Sequence, residues 1–508
     1  MQQSPAPPAV RPGAAHRTAV LAVMCLALAV VVGMLASLLV AVPDMARDLR
    51  ATESELQWIM NAYGVTFAGL LLLGGALGDR YGRKRVLLTG LVVFALASGA
   101  VVWTDDVNLV IALRGLAGVG AALVMPMTLS ITLQIYPPDE RGRAVGIWSG
   151  VSFGSALLAV LMAGGLLEAY TWRSVFAANA GLATLALVVA ALLAPTSKNA
   201  ESVRLDAMGA LLSVVGVGAL VFGIVEGPES GWSDGAVLTG FALGATGLAA
   251  FIGWELRSAR PLLDVRVFRI RGVAAGSIVI LAESIAMFGF FFLGLQYLQQ
   301  ILDYSPMRSG LALVAMAAGA MVFSPAAPSL ARRCGTRAVM GLGMALIAAG
   351  LGLLATTVDG GGIWPFLGST TLLGAGIAFA ATPATEAIVA TLPAEKQGVA
   401  SALNDLTREL GGVLGIAVLG SVFNTTYRSD TGDAVHGLSP EAAEATRGSL
   451  TGALRTAAEL GGRPGARLAD AAREAFGSGM ANALLGGIAV VVLGALAAVA
   501  LLSHRDRS

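Results

Sequence analysis

Long apolar runs, separated by short polar segments, recur from one end of the sequence to the other. A helix needs about 20 apolar residues to cross the hydrocarbon core of a bilayer, where it must satisfy its own backbone hydrogen bonds. About fourteen runs have this length. We therefore predict an all-α membrane protein whose spans, numbered in chain order, lie near residues 18–42, 56–78, 85–103, 108–133, 144–167, 171–194, 207–226, 236–256, 272–296, 307–328, 337–357, 363–388, 398–424 and 477–502.

Basic residues collect in every second loop between these runs, which gives an independent test of the topology. Short cytoplasmic loops of membrane proteins are enriched in Lys and Arg. The alternate loops carry Arg80, Arg83, Lys84 and Arg85, then Arg141 and Arg143, Lys198 and Arg204, Arg257, Arg260, Arg266, Arg269 and Arg271, Arg332, Arg333 and Arg337, Lys396, and finally Arg505 and Arg507. We predict a multi-pass protein of the cell membrane with an even number of spans and both termini in the cytoplasm.

The composition supports lipid as the main surroundings of this chain. Of its 508 residues 56% are hydrophobic and 13% are charged, and the mean hydropathy is +0.77. Soluble chains carry about 25% charged residues. The net charge of +1 provides no basic field for nucleic acid. We therefore expect membrane lipid to surround the protein, and no nucleic-acid partner.

Several kinds of chemistry lack the residues that they need. Cys25 lies in an apolar run and Cys334 in a basic loop, so a disulfide framework is not expected. The three histidines, His16, His436 and His504, lie outside the predicted spans. No Gly-Lys dipeptide occurs, which excludes a phosphate-binding P-loop. With no metal-ligand cluster or nucleophile triad in the pattern, we expect no metal, no cofactor and no enzymatic activity.

A short internal repeat suggests how the spans are grouped. The spacing of Leu77, Arg80 and Gly82, after span 2, recurs in Leu330, Arg333 and Gly335, after span 10. Repeat-built transporters consist of two such halves. We predict a six-helix bundle in residues 1–195, two inserted helices with their cytoplasmic linker in 196–271, and a second six-helix bundle in 272–508. Its extracytoplasmic loop, 425–476, is either a pair of solvated amphipathic helices or a substrate-capturing cap.

The most distinctive local pattern is the turn between spans 2 and 3, Gly74-Gly75-Ala76-Leu77-Gly78-Asp79-Arg80-Tyr81-Gly82-Arg83-Lys84-Arg85. Glycines permit a close turn, and Asp79 can cap a helix or pair with a neighbouring arginine. A basic loop that only fixes the topology is the alternative.

This turn resembles the one between helices 2 and 3 of the major facilitator superfamily. The matching residues are Gly75, Asp79, Arg80, Gly82, Arg83 and Lys84. Further segments are similar to its fourteen-helix drug:proton antiporter branch: Arg114-Gly115-x-x-Gly118, Pro43-Asp44-Met45-Ala46-x-Asp48-Leu49, Gln57-Trp58-x-x-x-Ala62-Tyr63, Gly398-Val399-Ala400-Ser401-x-x-Asn404 and Arg408-Glu409-Leu410-Gly411-Gly412. The resemblance implies a gate at the basic turn, with Asp79 and Arg83 locking the outward-open state.

Two features depart from that branch. No proline occurs between Trp148 and Glu168 in span 5, so the kink of its Gly-Pro motif is missing. Span 1 has no acidic residue before Pro43, and span 2 has Asn61 where many members have an acid. A proton-binding acid must then lie elsewhere, and Asn61 becomes a candidate substrate contact.

Ionisable residues within the spans are the candidates for proton coupling, because a charge there is costly to insert and is by default functional. Asp405, Arg408 and Glu409 share one side of span 13, at i, i+3 and i+4. Glu409 and Glu283 each lie about 16 Å into their spans, counted at 1.5 Å per residue. We expect Asp405 to stay charged beside Arg408, while Glu283 or Glu409 exchanges a proton. A purely structural Asp405–Arg408 pair is the alternative.

Other spans supply further candidates. By resemblance, Arg114 in span 4 is a proton-relay or gating arginine, and its alternative is snorkelling to the interface. Glu386, near the inner end of span 12, is either a gating or substrate contact or an interfacial residue. Phe288 and Phe292 are candidates for an apolar substrate pocket, although packing and lipid-facing roles are common for phenylalanines in spans.

Together these features predict a proton-coupled exporter of small hydrophobic or amphipathic compounds that works by alternating access around a midplane cavity. We expect it to be a monomer whose partners are its substrate, protons and membrane lipid. The alternatives are a symporter or uniporter for a small nutrient, and a membrane receptor or scaffold without transport activity.

Overall fold

The computed structural model describes residues 14–196, 206–258, 261, 263–324, 326–358, 360, 362–391 and 397–502. Helices account for most of them. In chain order they are α1 (Ala14–Leu49), α2 (Glu53–Tyr81), α3 (Arg83–Val101), α4 (Val107–Ile135), α5 (Pro138–Ala169), α6 (Arg173–Leu193), α7 (Ala207–Ser230), α8 (Gly235–Arg257), α9 (Arg271–Gln296), α10 (Pro306–Ala312), α11 (Val314–Phe323), α12 (Ala326–Cys334), α13 (Thr336–Ala355), α14 (Ile363–Thr391), α15 (Gln397–Asp430), α16 (Pro440–Gly448), α17 (Leu450–Leu460) and α18 (Gly462–Leu501). A 3₁₀ turn covers Val265–Arg269, and a π-helical turn, Tyr297–Ile301, extends α9.

The predicted all-α membrane fold is confirmed. In the described part of the chain, 13 helical stretches are long and apolar enough to cross a membrane, and α10 with α11 forms one of them. The remaining predicted span corresponds to α5, whose apolar segment is Gly154–Ala169. Each predicted run therefore coincides largely with helix, although the run 307–328 is divided among α10, α11 and the start of α12. Most helices extend beyond their apolar run, and α1 continues through Pro43 to Leu49.

Local signals explain the start of α2 and two of the boundaries between helices. Thr52 caps α2 in a reciprocal capping box: the Glu55 amide donates to Thr52 Oγ1 at 3.2 Å, and the Thr52 amide donates to Glu55 Oε2 at 2.8 Å. Gly82 separates α2 from α3 with a φ of 100°, and Gly335 separates α12 from α13 with a φ of 87°. These positive φ angles favour glycine. The sequence repeat around Gly82 and Gly335 thus corresponds to two turns of similar backbone conformation.

The helices form two groups, α1 to α6 and α9 to α18, each with closely packed pairs. We refer to them as the first and second groups. In the first, a Cβ on Gly118 of α4 would lie 2.4 Å from the Tyr63 carbonyl oxygen of α2. In the second, a Cβ on Gly415 of α15 would lie 2.4 Å from the Ile285 carbonyl oxygen of α9. Small residues let membrane helices approach this closely.

The remaining helices, α7 and α8, pack on each other and lie beside the contact between the groups. Val221 and Val225 of α7 are buried against Val65 of α2 and Val413 of α15. The Ser54 hydroxyl of α2 also donates to the Val225 carbonyl at 3.3 Å. The inserted pair is therefore joined to both groups through α7.

The bundle has two distinct ends. We call the end that carries the Tyr81–Arg83 turn the basic end, and the other end, which carries the Arg50–Thr52 turn, the opposite end. At the opposite end the groups are in contact: the Gln299 amide of the second group donates to the Val40 carbonyl at 3.1 Å. The Ser305 hydroxyl also donates to Glu168 at 2.8 Å. The opposite end is closed in this conformation.

Residues 425–476 are largely helical. Helix α15 continues to Asp430, α18 begins at Gly462, and between them α16 and α17 form a hairpin that we call the outer hairpin. One face of it is buried, including Leu450 and Ala453. It contacts both groups, because the Thr451 hydroxyl donates to Gln300 at 3.3 Å and Gly448 lies beside Thr52. The hairpin is thus packed against the bundle as well as exposed to solvent.

Candidate functional site

Four of the predicted site residues come together on two helices of the second group. Arg408 interacts electrostatically with Glu283 of α9 and with Asp405 and Glu409 of its own helix, α15. Glu283 is 2% exposed, and its Oε2 atom has no hydrogen-bond partner among the described residues. In the same part of the chain, no ion pair within 4 Å joins Arg408 to any of the three carboxyl groups. One cation is therefore shared by three acids without a tight pair.

Asp405 is linked to a neighbouring helix through an asparagine. The Asn404 amide donates to Asp405 Oδ1 at 3.4 Å, and the hydroxyl of Thr385 on α14 donates to Asn404 Oδ1 at 2.9 Å. Glu386, the next residue after Thr385, has an exposed side chain near the basic end of α14. The polar side of α15 thus extends from the interior of the bundle toward the basic end.

On the first group, Arg114 of α4 is 1% exposed. Its Nε donates to the Ile59 carbonyl of α2 at 2.9 Å, and its guanidinium carbon lies 4.5 Å from the centre of the Tyr63 ring. Nη1 and Nη2 have no hydrogen-bond partner in the described part of the protein. The side chain is inside the bundle and does not snorkel to the interface. A buried guanidinium with two free donor nitrogens is suited to bind an anionic or carbonyl group.

Tyr63 connects the two sets of charges. It interacts electrostatically with Arg114 of the first group and with Glu409 of the second, and its hydroxyl donates to the Val31 carbonyl of α1 at 3.0 Å. Only the sequence resemblance had singled out Tyr63, as part of the Ala62-Tyr63 segment. The structure adds it to the site, because it interacts with Arg114 on one side and with Glu409, a member of the Arg408 cluster, on the other. The site therefore spans the boundary between the groups.

Another face of α2, which carries residues four apart, holds two buried amides, Gln57 and Asn61, each fully inaccessible. Their side-chain oxygen and nitrogen atoms have no hydrogen-bond partner among the described residues. The Gln57 amide lies against Gly420 of α15, where a Cβ would approach it to 2.7 Å. Buried amides without hydrogen bonds are uncommon, because removing an amide from water without a new partner costs free energy. Asn61, a predicted substrate contact, is therefore a polar position at the boundary between the two helix groups.

The two predicted aromatic contacts have different surroundings. Phe288 is half-buried, and its ring lies 3.2 Å from the place of a Cβ on Gly412, one turn after Glu409 on α15. Phe292 is 1% exposed and belongs to the packed core. The structure therefore brings Phe288 next to the acidic helix, whereas Phe292 is enclosed by other side chains.

The basic turn packs mainly on α4. Gly78 lies against Met127, and Gly75 faces Pro126, where a Cβ would be 3.9 Å away. The Arg83 guanidinium donates to the Ser130 carbonyl at 3.3 Å. The exposed Arg80 lies over the Tyr81 ring, and Lys84 is half-buried after the Gly82 turn. The side chain of Asp79 lies outside the described residues, so the structure does not place this predicted gating residue.

One buried acid was missed in the sequence. Glu53, the first residue of α2, is 2% exposed, and the Gln296 amide of α9 donates to its Oε1 at 3.3 Å. The apolar pattern starts span 2 at residue 56 and places Glu53 in the loop before it. The Thr52-x-x-Glu55 capping box could have revealed the earlier helix start, but not the burial of Glu53 against a distant helix. In the described part of the chain, no group of three His, Cys, Asp or Glu side chains could hold a metal ion.

Comparison with known proteins gives consistent matches over most of the chain. A family model described as the Major Facilitator Superfamily matches residues 24–415. The multidrug efflux pump LfrA of Mycolicibacterium smegmatis is 32% identical over 462 residues, which cover 91% of each chain. The puromycin resistance protein of Streptomyces alboniger is 35% identical over 409 residues, 79% of this chain and 80% of that protein. The methyl viologen resistance protein SmvA of Salmonella typhimurium is 32% identical over 438 residues, 86% of this chain and 88% of its own.

Solved structures are similar in fold. A bacterial homologue of the human lysosomal transporter Spinster, in an inward-facing and unoccupied conformation, has a TM-score of 0.66 at 14% identity and covers 96% of this chain and 98% of its own. The nucleoside transporter NupG has a TM-score of 0.59 at 14% identity and covers 96% of this chain and 100% of its own. Both similarities concern the arrangement of helices.

Proposed function

Since the chain belongs to the Major Facilitator Superfamily, we propose that it exports small hydrophobic or amphipathic compounds, such as antibiotics and other drugs, in exchange for protons. The relatives named above are a multidrug efflux pump and proteins of puromycin and methyl viologen resistance. Their names support the substrate class. The buried charges at the boundary between the helix groups support the proton coupling.

The observation that carries the proposal is the sharing of Arg408 by Glu283, Asp405 and Glu409. One arginine can balance one carboxylate, so the other two acids must stay protonated or meet another cation inside the bundle. A cationic or polar compound and a proton then compete for the same carboxyl group. Protonation of Glu283 or Glu409 from outside releases the compound, and deprotonation toward the cytoplasm lets the next one bind.

Alternating access supplies the movement in this scheme. Residues 1–195 and 272–508 form the two moving bundles, and residues 196–271 form the inserted pair with its linker. The chain acts as a monomer in the cell membrane, both termini lie in the cytoplasm, and the opposite end faces outward. Contacts such as Gln299 to Val40 support a conformation that is closed on that outer side. Arg114 and Tyr63 face the acids from the first bundle and respond to their charge.

A fluorescent lipophilic cation tests this function in everted membrane vesicles. We expect the dye to accumulate when the lumen is acidic and to lose that accumulation when a protonophore collapses the pH gradient. Glu283→Gln and Glu409→Gln should each slow the initial rate by about tenfold or more, the change expected when about 1.4 kcal/mol of coupling energy is lost. Glu441→Gln, an exposed acid of the outer hairpin, is the matched control. Transport that is unchanged by the protonophore would contradict the proposal.

Import of a small nutrient is a second candidate, because α5 lacks an internal proline between Trp148 and Glu168. The Gly-Pro motif of the drug:proton antiporters that this chain resembles is therefore absent. The direction of transport separates the two functions. An importer accumulates labelled solute in intact cells, whereas an exporter lowers the cellular content of dye and accumulates it in everted vesicles.

A further inference from the structure

A buried acid lies in the closed contact at the opposite end, away from the cluster around Arg408. Glu53 begins α2 in the first group, and its carboxyl group accepts a hydrogen bond from Gln296 of the second group at 3.3 Å. Only 2% of Glu53 is exposed. Among the described residues, no Lys, Arg or His forms an ion pair with it. The closed conformation thus removes this carboxyl group from water without a cation to balance it.

The charged groups around Glu53 confirm this imbalance. From α15, the buried Tyr427 interacts with it electrostatically. From α9 the facing side chain is the uncharged Gln296, and from α2 itself Glu55 is engaged in the capping box of Thr52. From α7, Glu226 accepts a hydrogen bond from Trp58 at 2.9 Å.

No ion pair among the described residues joins Glu53 to the cations of this end. Arg428 donates through Nη2 to Glu444 of the outer hairpin at 3.1 Å, its buried Nη1 has no hydrogen-bond partner in the described part of the chain, and Arg50 is exposed. Arg47 pairs with Asp44, while Arg173 pairs with Asp48 and Asp105. The N-terminus of α2 provides a partial positive charge, which offsets only a small part of the desolvation of a buried carboxylate.

Glu53 also begins a chain of hydrogen bonds that crosses the contact. Gln296 accepts from the Gln300 amide at 3.4 Å, and Gln300 accepts from the Thr451 hydroxyl of the outer hairpin at 3.3 Å. Gln300 lies in the π-helical turn that extends α9, a type of distortion that is frequent at functional sites. Opening of the opposite end must break the bond between Glu53 and Gln296 and expose Glu53 to water.

We propose that Glu53 is a second proton-binding residue of the transport cycle and that the opposite end closes only when Glu53 is protonated. This proposal rests on the proposed exchange of compound for protons. A neutral carboxyl group can be buried against the Gln296 amide, whereas an unpaired carboxylate strongly resists transfer from water. Glu53 takes its proton from the outer solution when this end closes and returns it to the same side when the end reopens. It therefore biases the conformation and adds nothing to the number of protons that cross.

The test follows the opposite end with two spin labels, one on each helix group. Tyr170→Cys and Trp364→Cys replace side chains that are 68% and 79% exposed, in a background without Cys25 and Cys334. Pulsed electron paramagnetic resonance gives the ratio of open to closed molecules in lipid nanodiscs as the pH is varied. A conformational change that releases one proton shifts this ratio about tenfold per pH unit. We expect Glu53→Gln to make the logarithm of this ratio change less steeply with pH, by the amount that corresponds to one proton. The variant should also keep the opposite end closed at a pH where the parent protein opens.

Glu55→Gln is the matched control, since it lies on the same turn and an amide can still complete the capping box. Its ratio of open to closed molecules should depend on pH as in the parent protein. The proposal would be overturned if Glu53→Gln kept the pH dependence of the parent, or if Glu55→Gln lost as much of it as Glu53→Gln.

A reversed charge arrangement gives a second test that does not depend on the stability of Glu53→Gln. In Gln296→Lys, the new ammonium group can pair with an ionised Glu53, so the end should close without a proton and stay closed at high pH. The double variant Glu53→Gln/Gln296→Lys buries an unpaired ammonium group and should favour the open state. If Gln296→Lys opens with the parent pH dependence, the role assigned to Glu53 is wrong.

Dye transport in vesicles separates this inference from the proposed function. If a pH gradient drives transport but the open-to-closed ratio of Glu53→Gln depends on pH as in the parent protein, the inference is overturned and the proposed function stands. If Glu53→Gln weakens the pH dependence of this ratio but transport does not depend on the pH gradient, the proposed function is overturned. The role of Glu53 in closing the opposite end is then still supported.

Discussion

At the scale of single residues, Arg114 shows how one side chain is held in place while keeping part of its bonding capacity. Its Nε is fixed to the Ile59 carbonyl and its plane lies over Tyr63, but Nη1 and Nη2 have no hydrogen-bond partner in the described part of the protein. Glu409 interacts electrostatically with the same Tyr63. A small approach of the two helix groups would bring the free guanidinium nitrogens under the influence of the acids on α15.

We predict that Arg114→Ala slows dye transport driven by a pH gradient by about tenfold or more. A cation–π contact shielded from water contributes about 2 kcal/mol, and each loss of about 1.4 kcal/mol corresponds to a tenfold change. Arg114→Lys should fall between the parent and the alanine variant, because it keeps the charge without the planar fork. The measurement is the initial rate in vesicles, normalised to the amount of inserted protein. Arg257→Ala, at the exposed end of α8, is the control. If Arg114→Ala transports dye at the rate of the parent protein, Arg114 contributes only to packing.

At the scale of helices, close contact depends on the absence of a side chain at particular positions. Gly415 brings α15 onto α9, on the same two helices that carry Glu409 and Glu283. A side chain at this position would push the helices apart and change the spacing of the acids. The packing of α15 on α9 and the spacing of Glu409 and Glu283 therefore depend on the same glycine contact.

We predict that Gly415→Val lowers the thermal stability of the purified protein, because the added Cβ would lie 2.4 Å from the Ile285 carbonyl oxygen. Overpacking of this kind costs about 1–3 kcal/mol, and more where backbone must move. Size-exclusion chromatography after heating in detergent measures the change. Gly341→Val introduces the same side chain on α13 at a place with no neighbouring atom within 4 Å, so it should have little effect. Equal melting of the two variants would contradict the packing argument.

The helices themselves were predictable from the sequence, because apolar runs of membrane length have few alternatives to a helix. The family resemblance drawn from the basic turn and the later motifs is confirmed by the match over residues 24–415. Helix ends were less accurate. Polar residues continue a helix when a cap supports them, as Thr52 and Glu55 do for α2. The apolar pattern alone therefore places Glu53 outside span 2.

Part of the candidate site followed from helical spacing and part did not. Asp405, Arg408 and Glu409 share one face of a single helix, so their proximity was predictable. Glu283 lies on another helix, and its approach to Arg408 depends on how α9 packs on α15. The position of Tyr63 between Arg114 and Glu409 depends on the contact between the groups. No local pattern encodes such distant contacts. The domain boundaries and the functional roles of these residues stay predictions.

At the scale of the whole molecule, alternating access requires the contacts at the opposite end to separate and re-form. The outer hairpin extends this contact, since it belongs to the second group by sequence and reaches Thr52 of the first. A Cβ on Gly448 would lie 3.9 Å from the Thr52 Cβ, within the range of a disulfide. The same separation, 3.8 Å, would occur between Gly99 on α3 and Ala180 on α6, which both belong to the first group.

These two distances permit a matched cross-linking experiment in a background without Cys25 and Cys334. We predict that oxidation of Thr52→Cys/Gly448→Cys stops transport and that a reducing agent restores it, because the bond ties the hairpin to the first group and keeps the opposite end closed. Oxidation of Gly99→Cys/Ala180→Cys should leave transport intact, since both residues would move together. Mobility on gels before and after reduction measures how much of each disulfide forms. If both cross-linked proteins transport at the parent rate, the opposite end does not need to open at the hairpin; if both stop, the first group must itself deform during the cycle.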